Sequence, residues 1–182
     1  MTRVAVIGDG PAGLSAALLL AKNNISVRVY GRDGTPMHKA MLYNYLGLEE
    51  MDGTDFQQLA RKQVEGYGGE VVMAEVSALE PSEAGFAVRA GGSEQAHFNY
   101  VVLATGSAVK LGESVGAEKE GSALKADRDG KTSVPKLYAA GWSSRPQKNQ
   151  AIISAGDGAA AALDILTAES GRPFRDFDVK KG

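Results

Sequence analysis

A buried-strand pattern near the start of the chain runs straight into three closely spaced glycines. Val4-Ala5-Val6-Ile7 is followed by Gly8-Asp9-Gly10-Pro11-Ala12-Gly13, and an apolar-periodic stretch through Leu14, Ala17, Leu18 and Ala21 comes next. In that context Gly8 permits a tight turn and Gly10 lets the backbone approach a pyrophosphate. Gly13 lets a helix pack closely on a strand. The anion then sits on unpaired amides at the positive end of the helix. Val27 to Tyr30 reads as a second β-branched strand, so the first thirty residues predict a βαβ dinucleotide-binding unit. Such units place a carboxylate at the end of the second strand to take ribose hydroxyls. Tyr30-Gly31-Arg32-Asp33 has none at the expected place. Arg32 would then lie over the adenine, meet a 2′-phosphate, or be an ordinary solvated arginine.

The rest of the chain extends this unit into one α/β domain. Thr2 to Ile7 reads as the first strand and Pro11 to Asn23 as the first helix. Positions 31 to 52 have no periodicity and carry Gly34, Pro36, Asn44 and Gly47, which predicts a long loop of the kind that is usually functional. Thr54 to Tyr67 reads as a helix and Glu70 to Val76 as a third parallel strand. Val76 to Leu79, Gly85 to Ala90 and Gln95 to Phe98 suggest an antiparallel meander turning at Gly91-Gly92. Tyr100 to Leu103 and Leu137 to Ala140 return to the buried-strand pattern. Gln150 to Ala168 is an alanine-rich helix, and Pro173 to Gly182 a charged tail expected to fray. The expected fold is a Rossmann-like parallel sheet with helices and a small antiparallel β-meander, with residues 1–182 forming a single domain.

Bulk properties narrow the partners. Twenty basic and 22 acidic side chains give a formal charge of -2, which offers no electrostatic case for nucleic acid and no basic run for anionic lipid. The longest apolar stretch, Leu14 to Ala21, is too short to span a bilayer, and no secretory leader is visible. A cytoplasmic location is the expectation. The sequence contains no cysteine, so disulfides, thiolate metal sites and a dithiol relay within it are excluded, and two histidines are too few for a metal centre. Any electrons this chain handles must ride on a bound cofactor.

Several separate stretches resemble the thioredoxin-reductase branch of the FAD-dependent pyridine-nucleotide oxidoreductases. Gly8 to Gly13 is similar to the opening FAD motif, and Tyr43-Asn44-Tyr45-Leu46-Gly47 to the acidic-Asn-aromatic-Pro-Gly loop. Val102-Leu103-Ala104-Thr105-Gly106 resembles the strand that ends in Ala-Thr-Gly. Leu137-Tyr138-Ala139-Ala140-Gly141, followed by Gln150-Ala151-Ile152, resembles the terminal FAD motif with its spacing kept. Gly31 in place of the acid has precedents in that branch. The resemblance implies an FAD site: Asn44, Thr105 and Gln150 would meet the flavin, and the backbone at Val76 would bracket the adenine. A helix opening at Gln150 would stabilise negative charge on the reduced ring.

Two departures from the resembled branch shape the functional expectation. The connection at 107–134 is too short for the nicotinamide-binding domain that the branch inserts between Gly106 and Leu137, so thioredoxin reductase activity is not expected. Trp142 follows Gly141 where the branch has an aspartate. It would either cover cofactor left bare by the missing domain or pack at a dimer or domain surface. His38 and Lys39 are candidate proton donors or anion binders in the long loop. The leading expectation is a flavin oxidoreductase with an external donor or acceptor, NAD(P)H or a protein, and the resemblance implies a homodimer paired through its FAD domains. A noncatalytic FAD-binding subunit, carrier or sensor, and a pocket for NAD(P) or ADP, are the alternatives.

Overall fold

The computed structural model describes residues 1–92 and 94–180. In chain order the elements are β1 (Arg3–Ile7), α1 (Pro11–Lys22), β2 (Ser26–Gly31), β3 (Met41–Leu42), β4 (Met51–Asp52), α2 (Gly53–Gly66), β5 (Glu70–Met73), β6 (Val76–Ser82), β7 (Gly85–Ala90) and β8 (Glu94–Phe98). They continue with β9 (Tyr100–Leu103), α3 (Lys110–Ser114), β10 (Lys119–Glu120), β11 (Ala123–Leu124), β12 (Leu137–Ala139) and α4 (Ala151–Ser170). Five strands form a parallel sheet in the order β12-β9-β1-β2-β5. The sheet is Rossmann-like, as expected from the glycine turn.

Alternation along the strands divides the core into two. Val4 and Val6 of β1, with Val102 of β9, face Leu14, Ala17 and Leu20 of α1, Val64 of α2 and Ile165 of α4. Ala5, Ile7, Val101 and Leu103 face the other way. They meet Leu79, Phe86, Val88 and Phe98 of the antiparallel sheet β6-β7-β8. The result is three layers: helices, parallel sheet, meander. Strands buried on both faces read as continuous apolar runs, which is why β1 and β9 were legible at once.

One strand boundary needs correction, and three segments carry more order than their patterns predict. The third parallel strand stops at Met73, where the Ala74 amide turns onto the Val72 carbonyl (3.0 Å), so Val76 opens the antiparallel meander instead of closing the parallel sheet. The long loop holds a 3-10 turn at Pro36–Lys39 and the short β3-β4 hairpin. The connection at 107–134 holds α3 and the β10-β11 hairpin. The tail residues Asp176 and Asp178 pair with Lys22, and positions 181 and 182 lie outside the described residues.

Helix α4 is 20 residues long, with mean hydropathy high enough to cross a membrane by length and composition. In this fold that apolarity is used in packing. Ala155, Gly158, Ala161, Ala162, Ile165 and Leu166 are buried against α1 and the sheet. Two of its acids face the sheet edge, where the Tyr138 hydroxyl donates to Asp164 (2.7 Å) and the Tyr100 hydroxyl to Glu169 (2.8 Å). Burial and the Glu169 bond push the Tyr100 phenol up to about 12, and burial with Asp164 raises Tyr138 as well.

Close approach of α4 to α1 depends on Gly158, because a Cβ there would lie 1.9 Å from the Ala12 carbonyl oxygen. Gly158→Ala should therefore cost about 1–3 kcal/mol of stability by forcing the helices apart, measured as a lowered urea midpoint. Both phenols stay protonated in the folded chain above the pH at which unfolded tyrosine ionises, about 10. Their contribution is complete below that pH and lost as pH rises through the folded values. The urea midpoint should thus fall from pH 10 toward pH 12, with a shallower slope in the Tyr100→Phe/Tyr138→Phe variant.

Candidate cofactor site

The parallel strands end together, and their exits are laced by backbone bonds. The Gly8 amide donates to Tyr30 (2.8 Å), the Ala104 amide to Ile7 (2.8 Å), and the Ala140 amide to Leu103 (3.0 Å). Gly8 has φ +114, and a Cβ on it would lie 2.1 Å from the Ala104 carbonyl oxygen. Only glycine turns the chain there. Gly13 is equally constrained, since its Cβ would stand 1.9 Å from the Gly8 carbonyl. Gly10 differs: a Cβ on it would meet nothing nearer than Thr35 Oγ1 at 3.6 Å. The space above Gly10 is open. Gly10 also caps α1 with no side-chain bond, so the amides of Ala12 and Gly13 behind Pro11 are left to an external acceptor.

A second helix end is brought to the same edge of the sheet. After β12 the chain turns at Gly141 (φ +66) into a 3-10 turn through Trp142 and Ser143, and α4 begins at Ala151 with Gln150 as its uncapped N-cap. The turn is braced from below by Arg145, whose guanidinium meets Asp157 of α4 at 3.0 Å. Burial raises the Asp157 carboxyl despite that partner. Ser143 is fully buried, with Oγ 3.4 Å from Thr105 Oγ1. Thr105 in turn donates to the Ala108 carbonyl (2.5 Å), which bends the chain through Gly106. Asn44 Nδ2 donates to Gln150 Oε1 at 3.2 Å, joining residues 106 positions apart. Trp142 is half-buried, with no hydrogen bond or ring partner among the described residues.

The other predicted residues have partners and surroundings of their own. Arg32 is exposed and paired with Glu75 (2.5 Å). His38 contacts Asp33 Oδ1 (2.8 Å) and Thr54 Oγ1 (3.2 Å), while Lys39 is exposed. Val76 is buried in the meander core. What sequence reasoning missed is the polar face of α2. Gln57 is fully buried and donates from Nε2 to the Asp9 carbonyl (2.6 Å), leaving Oε1 buried without a partner. One turn further, the Arg61 guanidinium bonds both Asp9 Oδ2 and Asp33 Oδ1. Burial opposes the Arg61 charge, but the two carboxylates outweigh it and raise its pKa. The Arg61 and His38 bonds hold the Asp33 carboxyl below its usual range, and the Thr54 amide does so for Asp52 at the α2 N-cap. The signal was the Gln57, Arg61 spacing of four, which puts both side chains on one helix face.

Residues 2–114 match the model of the pyridine nucleotide-disulphide oxidoreductase family. The chain belongs to that family. It is similar to NADPH-dependent thioredoxin reductase 3 of Arabidopsis thaliana, 30% identical over 115 residues covering 59% of this chain and 22% of the relative. It is also similar to thioredoxin reductase of Rickettsia bellii, 30% identical over 110 residues covering 58% of this chain and 36% of the relative. The chain thus spans about a fifth to a third of the length of these curated relatives. Among solved structures, a thioredoxin reductase from Gloeobacter violaceus superposes with TM-score 0.86 at 17% identity, covering 100% of both chains. The atypical thioredoxin reductase TRi from Desulfovibrio vulgaris Hildenborough gives TM-score 0.85 at 17% identity, covering 96% of this chain and 100% of that one. At such identities the superpositions establish a shared fold.

FAD is the cofactor of this domain, and its residues fit the group. The open space above Gly10, the uncapped amides behind it and the uncapped start of α4 offer two positive helix ends at one sheet edge. An acidic turn residue beside a pyrophosphate would repel it, but the Asp9 charge is met by Arg61. Trp142 is the sole tryptophan of the sequence, so it reports on the site directly. Titration with FAD should quench the tryptophan emission. An unchanged emission with FAD bound would place Trp142 away from the ring.

Proposed function

We propose that this chain is a single-domain flavoprotein that passes electrons between an external donor and an external acceptor, and is not by itself a thioredoxin reductase. The observation that carries this reading is the pairing of two uncapped helix N-termini, α1 at Gly10 and α4 at Gln150, on one edge of the parallel sheet. The first suits a pyrophosphate and the second suits negative charge that builds up on a reduced ring. Bound FAD supplies the electron storage. The chain's own residues do the holding: the Ala12 and Gly13 amides receive the phosphates, while the Asn44 to Gln150 bond fixes the loop that borders the start of α4.

The source and sink of electrons lie outside these residues. With no cysteine in the sequence there is no dithiol to reduce, and α3 with the β10-β11 hairpin fills the interval where a second dinucleotide fold would stand. NAD(P)H or a redox protein is the fitting donor or acceptor. The same interval favours a second reading, an FAD-binding subunit or carrier with no turnover of its own. Binding of NADP in place of FAD is disfavoured by the engagement of Arg32 with Glu75.

A purified sample that is colourless, and stays so after incubation with FAD and desalting, would sink both flavin readings. If it is yellow, anaerobic mixing with NADH or NADPH separates them: bleaching supports an oxidoreductase, and persistence of colour supports a carrier. The Gly10→Glu variant has room for its side chain and ordinary φ (-79), so it should fold yet lose flavin through clash and charge repulsion. Unchanged thermal unfolding with stoichiometric flavin would refute the site assignment.

A further inference from the structure

The end of β2 carries Gly31 where a dinucleotide fold ordinarily places the ribose-binding acid, and the structure gives a steric reason. A Cβ on Gly31 would stand 2.4 Å from Asp9 Cγ and 2.6 Å from Asp9 Oδ2. The Asp9 side chain, projecting from the glycine turn, occupies the place where a residue-31 side chain would begin. It is nearly buried, with a side-chain exposure of 6%, and its Oδ2 is bound by Arg61. A carboxylate so enclosed serves better as an anchor than as a ligand acceptor.

Arg61 carries that anchor outward. The same terminal nitrogen that bonds Asp9 also bonds Asp33 Oδ1, and His38 Nε2 meets Asp33 Oδ1 at 2.8 Å. Both contacts fall on one oxygen. Asp33 Oδ2 has no partner among the described residues, and the side chain is 48% exposed. Asp33 stands two residues beyond β2 with φ +53, a left-handed conformation that aspartate tolerates better than most residues. A carboxylate with one oxygen fixed by two donors and the other open is suited to accept from a vicinal diol.

We propose that Asp33, positioned by Arg61 on its buried Asp9 anchor, accepts the ribose hydroxyls of the adenosine half of the cofactor. Asp33 is the binding residue and Arg61 a positioning residue; Gln57 supports the turn through the Asp9 carbonyl. The inference rests on the FAD reading and adds the residue that recognises its sugar. It also explains why Gly31 and Asp9 occur together. Either a side chain at 31 or an anchor at 9 fits, but not both.

The test compares ADP with 2′,3′-dideoxy-ADP as competitors of FAD, so that the ribose hydroxyls alone vary. Wild-type protein should prefer ADP by about tenfold or more, the scale of hydrogen bonds to a charged acceptor. Asp33→Asn should bind both nucleotides with nearly equal affinity. An Asp33→Asn protein that keeps the full preference overturns the proposal. Arg61→Met alone leaves Asp9 buried and unpaired and is expected to fold poorly, so the positioning role is read in the Asp9→Asn/Arg61→Met protein, which removes both charges. Its preference should shrink to a few-fold, and an undiminished preference overturns the role of Arg61. A general loss of packing would weaken both nucleotides alike and leave their ratio intact. If wild-type protein takes up FAD and binds ADP regardless of its hydroxyls, this inference alone fails. If it takes up neither FAD nor ADP, the FAD reading falls and carries the inference with it.

Discussion

The close contact of α4 with α1 is the constraint on which the site depends. Gly158 brings the backbone of one helix against the Ala12 carbonyl of the other, and Ala12 belongs to the glycine turn. The helix that supplies the second positive end is therefore located by the same atoms that shape the first. The Gly141 turn joins them from the sheet side, since a Cβ there would approach Ala12 Cβ to 2.9 Å. Small residues at these positions let three backbone segments converge, and no bulky side chain could do so without separating the helix ends.

Charge reinforces what packing begins. Each end of the sheet edge has a polar tie to a distant part of the chain: Asn44 to Gln150 on one side, and Arg61 to Asp9 and Asp33 on the other. These ties hold irregular segments between regular elements. They add to the Pro36–Lys39 turn and the short β3-β4 hairpin in ordering the loop after β2. Arg61 also resolves an apparent conflict in the turn, because an aspartate beside a phosphate site is tolerable only when its charge is already met.

The sheet and the glycine turn were legible because they rest on local rules: buried strands as unbroken apolar runs, and glycines where side chains cannot fit. β7 and β9 appear with the boundaries that their patterns predict. Gln150 and Asn44 were also readable, through motif spacing, and the structure brings them into contact. What escaped notice is non-local. Gln57 and Arg61 look like the solvated face of an amphipathic helix, and only their meeting with Asp9, about fifty positions away, makes them part of the site. The end of the third parallel strand was misplaced for a local reason: only Ala74 and Glu75 separate β5 from β6, and neither is a glycine or proline that would mark the break. The interval 107–134 shows weak periodicity because its hairpin strands are two residues each.

The pairing of α1 with α4 has a consequence for how the chain matures. The glycine turn is complete at Gly13, yet its partner helix begins at Ala151. During synthesis from the N-terminus, β1 and α1 emerge long before the segment that completes the cofactor edge. Contacts so distant in sequence form late in folding. Cofactor capture is thereby coupled to the arrival of α4, and a chain stopped before it would present the phosphate turn without the surface that secures the flavin.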